Sequence, residues 1–221
     1  METEVKLAFK DKNSLYSAAS SDWFKAFCTG GDGAPVTLEN SYLDTSSRDL
    51  LSRGAVFRKR HYIGEDKDSY EFTVKVDLSS VGGVSNRYEW NVKSEGPVIT
   101  SSEFLLKAQM TGDDPKILED LLMGIEVKDL TPLCSNSFER ILLGFKYGES
   151  VMEACVDYGE IKDSEGNTCD IICEMELELI EGTLSDLEAA KTYIISKTGS
   201  EPFDIGKFAR TFKASGNGGG K

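Results

Sequence analysis

The stretch ETEVK at residues 2–6 places Glu2, Glu4 and Lys6 at every second position. Residues spaced this way share one face of an extended strand. Two carboxylates and an ammonium then stand in one row. The alternation returns along the chain. Arg58 and Arg60 share a face in RGAVFRKR, and Lys75 lies on the face of Thr73 and Asp77. Arg87, Glu89 and Asn91 align in NRYEWNV, opposite Tyr88, Trp90 and Val92. Arg140 and Lys146 have one parity in SFERILLGFK, and Glu153, Cys155 and Asp157 align in MEACVDYG. Glu174, Glu176 and Glu178 stand together in CEMELEL. The signs are segregated: ETE and EMELE are acidic, whereas RKR, Lys75, Arg87 and Arg140 are basic. Carboxylates in a row suit hard cations. Arginines and lysines in a row suit anionic oxygens.

Strands must position these rows. They are predicted near 2–10, 37–44, 54–62, 69–77, 86–93, 103–109, 137–147, 150–157 and 169–180, with turn signals GGDGAP, IGEDKDS, SSVGG, KYGES and KDSEGN between them. Helical patterns are fewer. NSLYSAASSDWFKAF opens on Asn13 as N-cap, DDPKILEDLLMGI carries Pro115 in its first turn, and TLSDLEAAKTYIISKT starts from Thr183 or Ser185. Ile205, Phe208 and Phe212 are spaced for a short amphipathic helix over 205–212. The sum is an α+β fold: an antiparallel barrel or strongly curved sheet with a few flanking helices. Parity alone leaves both faces open, because a small barrel commonly fills its interior with the apolar set. Two features argue for charges inside: the segregated signs, and amphipathic helices that need an apolar sheet surface to cover.

Composition narrows the class. The chain has 221 residues, 39% hydrophobic and 29% charged, as in an ordinary globular domain. A net charge of −13 does not suit duplex nucleic acid, where phosphates must be neutralised. No apolar run approaches the roughly 18 residues of a membrane span, and METEVKLAFKDK lacks the plan of a signal peptide. A cytoplasmic protein without nucleic-acid or membrane partners is expected. Five scattered cysteines without a CxxC pair, and the single histidine His61, give little basis for a disulfide framework, a zinc site or a Ser-His-Asp triad.

These segments, taken in order, resemble the CYTH family, also called triphosphate tunnel metalloenzymes. ETEVK is similar to its E-x-E-x-K signature, SYLDT to its Y-x-D-T strand end, LLSRGAVFRKR to L-x-x-x-G-x-x-x-R-x-R, and FTVKV to its T-x-K strand. RYEWN resembles the R-x-E-W-N of the bacterial inorganic triphosphatase branch. FERIL, VDYGEI and CEMELELIEG resemble the later Arg, D-x-G and E-x-E-x-E-L-x-x-G segments. IGKFAR resembles the closing S-K-x-x-R, with Gly206 in place of Ser. Asn91 stands where many relatives carry a third acidic residue. E-x-E-x-K alone would fit any charged strand; the order of the segments, over about residues 2–210, carries the resemblance.

The resemblance implies an eight-stranded antiparallel β-barrel tunnel, here over residues 1–213; the Gly-rich end, 214–221, reads from its composition as a flexible tail. It implies a hydrolase that splits tripolyphosphate to pyrophosphate and phosphate with one or two Mg²⁺ or Mn²⁺ ions. Lys6, Arg58, Arg60, Lys75, Arg87, Arg140 and Lys207 would bind substrate. Glu2, Glu4, Asp157, Glu174 and Glu176 would be the metal ligands, and Glu2, Glu4, Glu174 and Glu176 the catalytic set. Glu89 would hold Arg and Lys side chains in place. Glu178, Glu153, Lys146 and Lys59 are expected outside the site, and Trp90 as an outward anchor under a helix. The alternatives are a thiamine triphosphatase, a class IV adenylyl cyclase, or a non-catalytic polyphosphate or nucleotide-binding module.

Overall fold

Alternating charged and apolar residues make strands that are committed to two environments, and a ring supplies both. The computed structural model describes residues 2–31, 33–64, 69–110, 113–163 and 165–216. The expected turns GGDGAP, IGEDKDS and KDSEGN lie partly outside these residues, as does the expected tail. Ten strands are described: β1 (Glu2–Ala8), β2 (Cys28–Gly30), β3 (Pro35–Asp44), β4 (Val56–Ile63), β5 (Ser69–Val81), β6 (Val84–Ser94), β7 (Thr131–Tyr147), β8 (Ser150–Lys162), β9 (Thr168–Glu181) and β10 (Glu201–Pro202). Eight of them follow the antiparallel order β1-β6-β5-β4-β3-β7-β8-β9, and β9 returns to β1. Closure rests on one strand: Glu4 of β1 is opposite Ser85 on one side and Glu178 on the other. β2 joins β7, and β10 joins β1, outside the ring.

The apolar parity faces out and is covered by helices. These are α1 (Lys12–Ser20), α2 (Asp22–Lys25), α3 (Asp49–Ser52), α4 (Ser101–Ala108), α5 (Pro115–Leu122), α6 (Leu184–Thr198) and α7 (Lys207–Ala214). Val5, Leu7, Met175 and Leu177 pack with Leu15, Phe24, Leu187 and Ile194 from α1, α2 and α6. Phe57, Phe72, Val74, Trp90 and Val92 pack with Phe104, Leu118 and Leu122 from α4 and α5. Trp90 is fully buried there, an outward anchor as expected. Trp90→Ala is expected to cost about 3–5 kcal/mol of stability, read by urea denaturation. A loss under about 1 kcal/mol would mean that the helices do not seal this face.

Three expectations need correction. Residues 103–109 are not a strand; α4 runs over Ser101–Ala108. Thr100 caps it by accepting the Glu103 N–H at 3.2 Å, and Phe104 and Ala108, four apart, are its buried face. The FLL run looked like a strand because a short apolar run has no period of its own. The cap of α1 is Asp11 and not Asn13: its carboxylate accepts the Ser14 N–H at 2.8 Å, and the Ser14 hydroxyl answers the Asp11 backbone N–H. The C-terminal helix spans Lys207–Ala214, two residues beyond the expected 205–212. Leu38, Phe138, Ile161 and Ile172, which have the inward parity, form a small buried cluster against which Ala214 of α7 packs.

Candidate active site

The charged parity faces in. A cavity of about 340 Å³ lies inside the ring, and Glu2, Glu4, Lys6, Arg58, Arg60, Lys75, Arg87, Glu89, Arg140, Glu176 and Lys207 all line it. Asp157 and Glu174 stand just behind, 0% and 1% exposed. Every site residue expected from the sequence is thus in or against one lumen. Glu153 and Glu178, expected outside, line it as well. Lys146 does not; it lies near Glu149 at the surface, 3.9 Å away.

One pole is built around Lys207, which α7 carries into the ring. Its ammonium lies 2.8 Å from Asp157 Oδ2 and 2.8 Å from Glu176 Oε1, and contacts Glu174. Arg140 grips Asp157 with two parallel bonds, Nε to Oδ1 at 2.7 Å and Nη2 to Oδ2 at 2.6 Å. The same Nη2 reaches Glu176 Oε2 at 2.8 Å. Lys6 comes within 3.3 Å of Glu176. Burial pushes the Glu176 carboxyl up, but Lys207, Lys6 and Arg140 outweigh it and hold the group well below the usual carboxylate range. Glu174 goes the other way: burial raises it, Lys207 opposes and Glu176 adds repulsion. Arg210, which the sequence left unassigned, steadies Glu174 with Nη1 at 2.8 Å from Oε2 while its Nε bonds Asp170 at 2.6 Å.

The second pole gathers Glu2, Glu4 and Glu89 around Arg87 and Lys75. Arg87 contacts Glu4 and lies 3.2 Å from Glu2, and Lys75 contacts Glu89. Burial pushes Glu2 up to about 9, against the pull of Lys75, and Glu89 adds to the rise through a shared hydrogen bond. Burial also acts on Glu89, but Lys75, the bond with Glu2 and Arg58 hold it below its ordinary value. The two carboxyls act on each other in opposite directions, and Lys75 and Arg58 favour the charge on Glu89. Glu178 is pushed up to about 7 by burial and then by Glu89, Glu153 and Glu4.

Between the poles the charge is mainly positive. Arg58 Nη2 donates to Glu71 Oε1 and Thr73 Oγ1, both at 2.9 Å, while its buried Nε has no partner. Arg60 stands 3.9 Å from Glu71. Burial, then Arg58 and Arg140, hold the Arg60 guanidinium below its ordinary value. Glu71 was missed in the sequence, although it shares parity with Thr73 and Lys75 and so signals an inward position. Guanidiniums left short of carboxylates, one with an unused buried N–H, form a receptor for anionic oxygens.

The carboxylates fit a hard cation. Asp157, Glu174 and Glu176 are buried, offer only oxygen, and bring ligand atoms within 4.8 Å of one another. A cation, the Lys207 ammonium, already stands at their focus.

A closed antiparallel ring with a charged lumen and helices outside defines the class. The CYTH domain family matches residues 1–212, and the chain belongs to that family. Solved structures share the fold at low identity. HpAC1 from Hippeastrum, an adenylyl cyclase candidate whose dominant activity is that of a triphosphatase, is 16% identical with a TM-score of 0.62, covering 97% of each chain. A protein from Bacillus halodurans named as an adenylate cyclase is 18% identical with a TM-score of 0.57, covering 96% of this chain and 97% of its own. A protein from Pyrococcus horikoshii is 13% identical with a TM-score of 0.52, covering 94% and 96%. Among the described residues no helix is long and apolar enough to cross a membrane.

Proposed function

We propose that the protein hydrolyses inorganic tripolyphosphate to pyrophosphate and phosphate, using Mg²⁺ or Mn²⁺. The observation that carries this is the convergence of Lys6, Arg58, Arg60, Lys75, Arg87, Arg140 and Lys207 on one cavity in a chain of net charge −13. Carboxylates line the same cavity, so the attraction for a polyanion comes from the stretch around Arg58 and Arg60 and from divalent cations that the carboxylates would hold; close charges dominate in a narrow, poorly hydrated space. A linear triphosphate presents oxygens along its whole length, and these residues are spread along the lumen to meet them.

Arg58, Arg60 and Arg140 take the role of orienting the phosphoryl oxygens. Lys6, Lys75, Arg87 and Lys207 supply further charge at the poles. Glu2, Glu4, Asp157, Glu174 and Glu176 would hold one or two divalent cations. A bound cation neutralises phosphate oxygens and lowers the pKa of a water. In the reaction water adds to the terminal phosphorus, the bond from that phosphorus to the bridging oxygen breaks, and a proton is released. The chain contributes positioning and charge stabilisation, as phosphoryl transfer requires. Glu89 keeps Lys75 in place.

Tyr42, Tyr62 and Phe208 also line the cavity and favour a second reading, an organic triphosphate whose ring stacks on them. Phosphate release from tripolyphosphate, thiamine triphosphate and ATP, each with Mg²⁺, Mn²⁺ or EDTA, separates the two. Tripolyphosphate is expected to be turned over fastest, with no turnover in EDTA. Faster turnover of either organic substrate would establish the second reading instead.

Arg60→Ala is expected to raise the KM for tripolyphosphate about tenfold or more, the size of a lost charge-assisted contact. Loss of the guanidinium relieves repulsion from Arg58 and Arg140 but strips the buried Asn40 Oδ1 of its donor, so a modest fall in Tm is expected beside the KM effect. Unchanged KM would take Arg60 out of the substrate set.

A further inference from the structure

A buried chain of hydrogen bonds runs from Arg60 to helix α7. Arg60 Nε donates to Asn40 Oδ1 at 2.9 Å. Asn40 Nδ2 donates to Asn136 Oδ1 at 3.0 Å, and Asn136 Nδ2 donates to Thr211 Oγ1 at 2.7 Å. Thr211 Oγ1 donates in turn to the Lys207 carbonyl oxygen at 2.7 Å. Asn40, Asn136 and Thr211 are 1%, 6% and 1% exposed. The direction of the chain is fixed at both ends. A guanidinium only donates and a carbonyl only accepts. Both amides therefore stand with oxygen toward Arg60 and nitrogen toward α7. The bond of Thr211 to the carbonyl four residues back commits its proton, so its lone pairs are left for Asn136.

These residues belong to neither the cationic nor the carboxylate set. Apolar side chains would have sealed the same seam, as Leu38 and Phe138 do nearby. A buried amide is costly unless its partners are in place. The Asn136 donor meets Thr211 in one setting of α7 only, and its other contact, Tyr42 Oη, is a long one at 3.5 Å. Slipping the helix by one residue turns Thr211 about 100° away and leaves the Asn136 amide without it.

We propose that Asn40, Asn136 and Thr211 are positioning residues. They lock α7 in the register that brings the Lys207 ammonium to Asp157, Glu174 and Glu176, and through the same bonds they hold the Arg60 guanidinium toward the lumen. As far as a kinetic constant is read, this rests on the triphosphatase function proposed above.

The test uses the full chain with Thr211→Val, which keeps the branched shape and removes both hydrogen bonds, and Thr211→Ser, which keeps the hydroxyl. Thr211→Val is expected to raise the KM for tripolyphosphate about tenfold, with a smaller change in kcat, while Thr211→Ser stays within about twofold of wild type. Combining Thr211→Val with Lys207→Ala should add little to the loss from Lys207→Ala alone, because both act through the same ammonium. Hydrogen exchange over α7, measured without substrate, should speed up in Thr211→Val and not in Thr211→Ser. A wild-type KM in Thr211→Val, or equal damage in the two variants, would overturn the proposal. If the wild-type protein neither binds nor hydrolyses tripolyphosphate, the proposed function fails and exchange alone decides. Faster α7 exchange in the valine variant only then sustains the positioning role, and unchanged exchange overturns it.

Discussion

Glu176→Gln is expected to lower the rate of tripolyphosphate hydrolysis by about 100-fold or more while the ring stays folded. The side chain keeps its size and loses its charge. Glu176 is 8% exposed and serves three cations at once: Lys6 at 3.3 Å, Arg140 at 2.8 Å and Lys207 at 2.8 Å. It is also one of the three carboxylates that converge as a cation site. Removing its charge weakens the hold on a divalent ion and leaves three basic groups to repel one another. The loss should appear in kcat and in a higher Mg²⁺ concentration for half-maximal rate. Circular dichroism checks the fold. A wild-type rate at saturating Mg²⁺ would remove Glu176 from the metal shell.

Lys207→Ala is expected to act on stability and substrate affinity together. Its ammonium is the shared partner of Asp157, Glu174 and Glu176, all nearly inaccessible to water. Without it, buried carboxylates face each other with Arg140, Lys6 and Arg210 as the remaining counter-charges. Breaking a buried pair by removing one partner costs about 3–5 kcal/mol. A large drop in Tm is therefore expected in EDTA. Mn²⁺ should restore part of it in the variant, because divalent charge at the trio offsets the lost ammonium. Tripolyphosphate should not restore it, since its charge has the wrong sign. A variant as stable as wild type in EDTA would show that Lys207 does not neutralise the trio.

The lumen was legible because its signal is periodic. Alternation on six or more strands, with signs kept apart, showed which side chains share a face, and the helices needed an apolar outside. Glu71 obeys the same parity and was within reach of that logic. Glu153 and Glu178, expected outside the site, share the inward parity of Asp157 and of Glu174 and Glu176, and both line the cavity. Arg210 is the arginine of the closing IGKFAR segment, three residues after Lys207, but its partners Asp170 and Glu174 depend on how α7 sits. The same holds for Asn40, Asn136 and Thr211. Uncharged residues at inward positions look like any strand or helix residue until the two elements are packed. The misread segment 103–109 is the reverse case, where the local cap at Thr100 held the information and the apolar run concealed it.

Closure of the ring through β1 has a bearing on how the chain is made. β1 is synthesised long before β9, and at roughly 5–20 residues per second it waits on the order of ten seconds or more for that partner. β6 emerges sooner and can occupy one edge of β1. The other edge stays open, with unpaired N–H and C=O groups of the kind that recruit foreign strands. The Glu2, Glu4 and Lys6 row lies on this waiting strand. Desolvating charges against a random partner is unfavourable, so the row guards the nascent edge from mispairing. The side chains that later meet a polyanion would then first act as gatekeepers against aggregation.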